Sequence, residues 1–139
     1  MSHFLAPVLA LILWSLIIWC VMYARRLPAM NKAKIAPETA KSPDGDWKGR
    51  LPEKVQAAAH NYNHLMEQPT IFYALMFYIV LSGTESSLMG YLAWGYVVLR
   101  VLHSLVQITS NKVVMRFSLF TISTILLIIM ACAQAAKLF

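Results

Sequence analysis

With 139 residues, 59% of them hydrophobic and only 13% charged, and a mean hydropathy of +0.59, the chain is too apolar for a water-soluble domain of its length. Its net charge is +6. All the basic residues but Arg100 and Arg116 lie outside the apolar runs, which makes them a topology signal and an attraction to anionic headgroups and argues against a nucleic-acid partner.

A helix needs about 20 predominantly apolar residues to cross the hydrocarbon core. The first such run, "FLAPVLALILWSLIIWCVMYA" at 4–24, contains no charge. It also lacks the basic start of a cleaved signal peptide, so it is expected to be retained as a span. A long connection over 25–54 follows, rich in proline and glycine: Pro28, Pro37, Pro43, Pro52, Gly45 and Gly49. It is too polar to span and too broken to form one helix. Its Trp47 is expected either to anchor the loop among the headgroups or to cap a cleft between the helices.

The second helix is expected over 55–82, polar where it enters ("AAAHNYNHLMEQP") and aromatic afterwards. A short polar turn, "SGTESS", leads to a third helix over 88–108, and "TSNK" leads to a fourth over 113–136. Turns this short make helices two, three and four successive antiparallel neighbours. The pattern is helix-length and non-alternating, which favours a bundle over a barrel. The expectation is one all-α integral membrane domain over 1–139, a bundle of four transmembrane helices.

Arg25, Arg26, Lys32, Lys34, Lys41, Lys48, Arg50 and Lys54 fall in the long connection and Lys112 in the last turn, against Lys137 on the other side. The positive-inside rule then places both termini on the non-cytoplasmic face of a multi-pass protein. Cys20 and Cys132 fall toward opposite ends of their helices, too far apart to pair, and read as small buried hydrophobes. No repeat, phosphate loop, nucleophile elbow or metal-type Cys/His spacing is present, so no metal is expected.

What remains is polar chemistry at membrane depth. Arg100, His103 and Gln107 fall at i, i+3 and i+7 on helix three, one helical face. His60, Asn63 or His64, and Glu67 repeat at the same period on helix two. Because a lone charge at that depth costs several kcal/mol, an Arg100–Glu67 ion pair between the two antiparallel helices is expected. Arg116, one turn into helix four, either snorkels to the headgroups or points into a cleft and binds an anion.

The stretches "LRVLHSLVQITSNKVVMRF" and "NHLMEQPTIFYAL", with the four-helix layout, resemble the MAPEG family of membrane-associated proteins in eicosanoid and glutathione metabolism. The likeness is greatest to bacterial members of unassigned role. It covers roughly residues 55–135 and rests on Glu67, Arg100, His103 and Arg116 in that order. The resemblance implies a homotrimer, in a bacterial inner membrane, with a glutathione site between subunits opening to the cytoplasm.

Arg116 matches the family arginine that lies beside the glutathione sulfur and stabilises its thiolate. His60, Asn63, His64, Glu67, Arg100, His103 and Gln107 would line the glutathione site. Phe72, Tyr73, Phe117 and Phe120 would line a lipid-facing cleft for a lipophilic electrophile. The chain also departs from the family pattern. His60 stands where glutathione-binding members carry an arginine, and an imidazole cannot give a guanidinium's two-pronged grip on a carboxylate. Phe117 and Phe120 stand where the eicosanoid enzymes commonly carry serine and tyrosine. Two functions follow: a glutathione-dependent transferase or peroxidase, or a non-catalytic trimer that binds a lipid or a partner protein.

Overall fold

The computed structural model describes residues 3–42 and 45–138. These form four α-helices, α1 (Ala6–Lys32), α2 (Glu53–Leu81), α3 (Ser87–Ile108) and α4 (Val113–Ala135), with two short 3-10 turns between α1 and α2. Three of the helices, α1, α3 and α4, are long and apolar enough to cross a membrane. α2 has the length, 29 residues, but its first half carries Glu53, Lys54, His60, His64 and Glu67. Its apolar run is confined to the second half.

Cross-contacts give the topology. Asn61 meets Ser104 and His64 meets Arg100, so α2 and α3 run antiparallel. His103 packs on Phe120, and a β-carbon on Gly95 would sit 3.1 Å from Leu126, so α3 and α4 are antiparallel and close. Arg25 Nη1 donates to the carbonyls of Lys54 (3.3 Å) and Ile108 (3.0 Å), tying together the end of α1, the start of α2 and the end of α3. At the opposite end Thr84 Oγ1 donates to Gln134 Oε1 at 2.7 Å and Lys137 Nζ to the Thr84 carbonyl at 3.2 Å. The basic connection and the α3–α4 turn thus share one end of an up-down-up-down bundle.

Lipid is as apolar as a leucine side chain, so helices in it associate through close packing and interhelical hydrogen bonds rather than by expelling water. Ala57 and Ala58 on α2, Ala93 and Ser104 on α3 and Ser123 on α4 are buried small residues that permit this approach. Phe72 stacks on Tyr96 at 4.6 Å between ring centroids in the middle of the core, beside Leu11, Ile18, Met76 and Met130. Gln68 Nε2 donates to Thr124 Oγ1 at 2.8 Å and Tyr96 to Gln68 Oε1 at 3.4 Å, a polar thread through three helices.

The turn after α2 closes with Gly83 at φ +64, a left-handed position that glycine adopts without strain, as Thr84 N–H returns to the Ile79 carbonyl. Ser86 then caps α3 by accepting from Met89 N–H.

The stretch between the first two helices differs from expectation. α1 does not stop at 24 but continues to Lys32 with Pro28 inside it. Arg25, Arg26, Leu27, Ala29, Met30 and Lys32 are good helix formers, and a single proline removes only one intrahelical bond. The rest of the connection is folded rather than open. Trp47, 4% exposed, packs with Ile35, Leu51 and Val55 in a second small core. Its indole donates to the Ser42 carbonyl at 3.0 Å, and the Arg26 guanidinium lies 4.8 Å over its ring. Trp47 therefore stabilises the connection from within instead of anchoring it in headgroups. Pro43, expected in this connection, lies outside the described residues. Cys20 and Cys132 are both exposed on the outer surfaces of their helices, not buried.

Candidate functional site

The polar stripe of α3 is placed as its spacing implies: Arg100, His103, Ser104 and Gln107 all lie on the buried face. The stripe of α2 is not. The residues α2 buries include Ala57, Ala58, Asn61, Leu65, Pro69 and Phe72. At about 100° per residue, Glu67 lies some 200° around the helix from Leu65. Its side chain is 67% exposed, with Oε2 3.5 Å from His64 Nδ1. The expected Arg100–Glu67 ion pair is therefore absent.

Arg100, with no exposed surface, instead donates Nη2 to the His64 backbone carbonyl at 2.8 Å and lies 5.4 Å over the Phe120 ring. Arg100 Nε and Nη1 are buried without a hydrogen-bond partner.

Arg116 sits at the same end as the basic connection, on the wall between two cavities. One, of 210 Å³, is lined by His64, His103, Val113, Arg116, Phe117 and Phe120. The other, of 190 Å³, is lined by Glu53, Gln56, Ala57, His60, Gln107, Asn111 and Arg116. The first is largely aromatic and apolar; the second is polar. His64 and His103 face each other edge-on in the first, ring centroids 5.9 Å apart.

Two buried polar atoms beside the cavities lack partners, the donor Arg116 Nε and the acceptor Gln107 Oε1. Buried polar groups in folded proteins are overwhelmingly paired, so an orphan donor and acceptor that share a polar cavity suit a ligand carrying both functions.

The side chains expected to line the site divide into groups. His64, His103 and Arg116 meet in the aromatic cavity, and His60, Gln107 and Arg116 in the polar one. Asn63 lies with His60 on a third cavity of 230 Å³, together with Met22, Arg26, Trp47 and Leu51. His60 thus borders the third cavity and the polar one, and Arg116 the polar cavity and the aromatic one, so the three form a continuous series around the first half of α2. Glu67 faces outward and Arg100 lies inside the bundle; neither lines these cavities. Of the aromatic residues expected at the cleft, Phe117 and Phe120 are there, whereas Phe72 is in the core and Tyr73 packs against it.

Sequence reading passed over two residues. Asn111 Oδ1 accepts a hydrogen bond from Arg116 Nη1 at 2.7 Å, and Asn111 Nδ2 donates to Glu53 Oε1 at 3.0 Å. The signals were an asparagine in a four-residue turn, a residue type that tolerates left-handed backbone, and an acidic residue at the start of α2. The antiparallel layout alone brings them to one end.

The comparisons with known proteins agree with the architecture. No curated protein and no solved structure matches the chain. The sequence profile of the MAPEG family matches residues 4–136, nearly the whole length, and with its helical membrane-spanning architecture the chain belongs to the MAPEG family.

Proposed function

We propose that this protein is a glutathione-dependent transferase or peroxidase acting on lipophilic electrophiles, with Arg116 stabilising the thiolate. The observation that carries the reading is the position of Arg116, shared by a polar cavity and an aromatic one. A reaction between a water-soluble tripeptide and a membrane-dissolved electrophile needs such a boundary, with a cation at the point where the two meet. Bound glutathione would supply the nucleophilic sulfur.

The protein's own groups would do the rest. The Arg116 guanidinium favours the anionic sulfur of a thiol whose ordinary pKa is about 8.5, and each tenfold gain in thiolate corresponds to about 1.4 kcal/mol. Gln107 Oε1 offers an acceptor to an amide N–H, and Gln56 and His60 give the polar cavity further hydrogen-bonding groups. Val113, Phe117 and Phe120 give an apolar surface to the electrophile and keep water from the sulfur side.

Under this reading the chain assembles as a homotrimer, as the family resemblance implies, and its basic end faces the cytoplasm, where glutathione is abundant; the membrane is a bacterial inner membrane. The test is a titration of detergent-solubilised protein with glutathione, followed by thiolate absorbance and repeated on Arg116→Ala. A thiolate signal lost in the variant supports the reading. Its absence from wild type at millimolar glutathione overturns it.

A second reading, a non-catalytic trimer binding an anionic lipid, is favoured by the third cavity. There Met22, Leu51 and Val55 present apolar walls beside the Arg26 guanidinium, and His60 stands in place of the family's carboxylate-binding arginine. Lipid co-purifying with the protein, displaced by neither glutathione nor the Arg116 substitution, would support it.

A further inference from the structure

We infer that Asn111 and Glu53 form a positioning relay for Arg116, built so that the guanidinium is held in place without being neutralised. The catalytic consequence rests on the thiolate reading above. The geometric part stands on its own.

Arg116 lies in the first turn of its helix, and its side chain is a long chain of rotatable bonds between the backbone and the guanidinium. Left alone, such a side chain near the headgroups would extend toward water and lipid phosphate. Asn111 prevents this. Its backbone is fixed at φ +50 and its N–H closes the turn onto the Val106 carbonyl at 2.8 Å, so its side chain projects from a rigid corner. From there Oδ1 takes Arg116 Nη1 at 2.7 Å.

The amide is in turn oriented by Glu53, whose Oε1 accepts from Asn111 Nδ2 at 3.0 Å. That bond settles which end of the amide faces the arginine, because a carboxylate can only accept and a guanidinium can only donate. Among the described residues Glu53 makes no ion pair with Arg116 itself.

This ordering has a chemical purpose. A carboxylate directly against Arg116 would hold the side chain equally well, and would bind it more strongly than an amide does. It would also cancel the charge an incoming sulfur anion needs. Interposing a neutral amide keeps the orientation and spares the charge. The orphan Arg116 Nε and the polar cavity that contains all three residues are consistent with a cation held ready for an anion that the chain itself does not supply.

The two possible roles of Asn111 predict opposite results for one near-isosteric substitution. If the residue only braces the turn, Asn111→Asp gives Arg116 a firmer partner and leaves the thiolate signal equal or larger. If it insulates Arg116, the new carboxylate competes with the sulfur. In full-length protein in detergent, glutathione thiolate at a fixed pH below the free thiol value is then expected to fall about tenfold in Asn111→Asp, one pH unit in the titration. Asn111→Ala and Glu53→Gln, which loosen the guanidinium without neutralising it, should lose about two- to threefold. A thiolate signal in Asn111→Asp at or above wild type overturns the insulation argument.

The second measurement needs no glutathione: modification of Arg116 by phenylglyoxal, read by peptide mass spectrometry. Asn111→Ala is expected to speed labelling of Arg116 severalfold while Arg25, held by its own backbone bonds, stays at its wild-type rate. Equal labelling of Arg116 in wild type and variant overturns the relay. If wild type holds no thiolate, the enzyme reading fails, and the labelling result alone decides whether Arg116 is pinned.

Discussion

The bundle holds two arginines of opposite circumstance, sixteen residues apart in the chain and joined by one phenylalanine. Around Arg100 the protein is packed on every side. The side chain is fully buried and its anchor is a backbone carbonyl, with the Phe120 ring beneath it. Around Arg116 the protein is open. The guanidinium borders two cavities, and its anchor is a neutral side chain that leaves its charge unopposed. Depth in the membrane is a poor guide to which cation is open to a ligand. The more deeply buried charge is enclosed by the protein, with Nη2 on a backbone carbonyl of the neighbouring helix, and the shallower one has somewhere for a ligand to sit.

The largest test of this contrast is Arg116→Ala. Removing the cation should lower the initial rate of glutathione conjugation to a chloronitrobenzene on the order of 100-fold, the scale of losing one preorganised charge-stabilising group. The thermal midpoint should stay near that of wild type, and a collapse of the fold would show that the two regions are not separable. Arg100→Ala should do the reverse, destabilising the bundle by about 2 to 4 kcal/mol through the cavity it leaves. Arg100→Met, which fills most of that volume without a charge to bury, should recover much of the loss in denaturant unfolding.

Phe120 belongs to both regions, under Arg100 and beside His103 in the aromatic cavity. Phe120→Leu is therefore expected to cost about 1 kcal/mol of stability through the lost cation–π contact, together with a raised KM for aromatic electrophiles at little change in kcat. A change in kcat alone would place the ring nearer the reacting atoms than the cavity suggests. The smallest effect belongs to Glu67→Gln. With its side chain exposed and only His64 beside it, the substitution should shift stability by less than about 0.5 kcal/mol. A loss of several kcal/mol would restore the ion pair with Arg100.

Much of the architecture was legible from apolar run length, since lipid demands helices of a given length. The bounds of α3 and α4 fell within a residue of those expected, because short polar turns leave little freedom. The end of α1 was less legible: charge marks where a helix leaves the lipid, not where it stops being a helix. The misreading of α2 was one of phase. His60, Asn63 and Glu67 repeat at helical spacing and are polar, but so does the stripe Ala57, Asn61, Leu65, Pro69, and this second one packs. Small residues made that face the buried one, as close approach in lipid requires. Arg116 could be singled out as a candidate because the family places an arginine there. Asn111 and Glu53 could not, because neither is unusual where it stands and their meeting depends on how two helix ends align.

The bond from Arg100 to the His64 carbonyl has a consequence for how this chain can change over generations. The acceptor is main chain, so no ordinary substitution at position 64 deletes it, and the imidazole above it is free to be replaced or recruited without disturbing the helix pair. Positions 64 and 100 therefore have no reason to vary in step. A contact central to the bundle would leave no covariation signal, while the side-chain relay at residues 53, 111 and 116 would have to be inherited as a set.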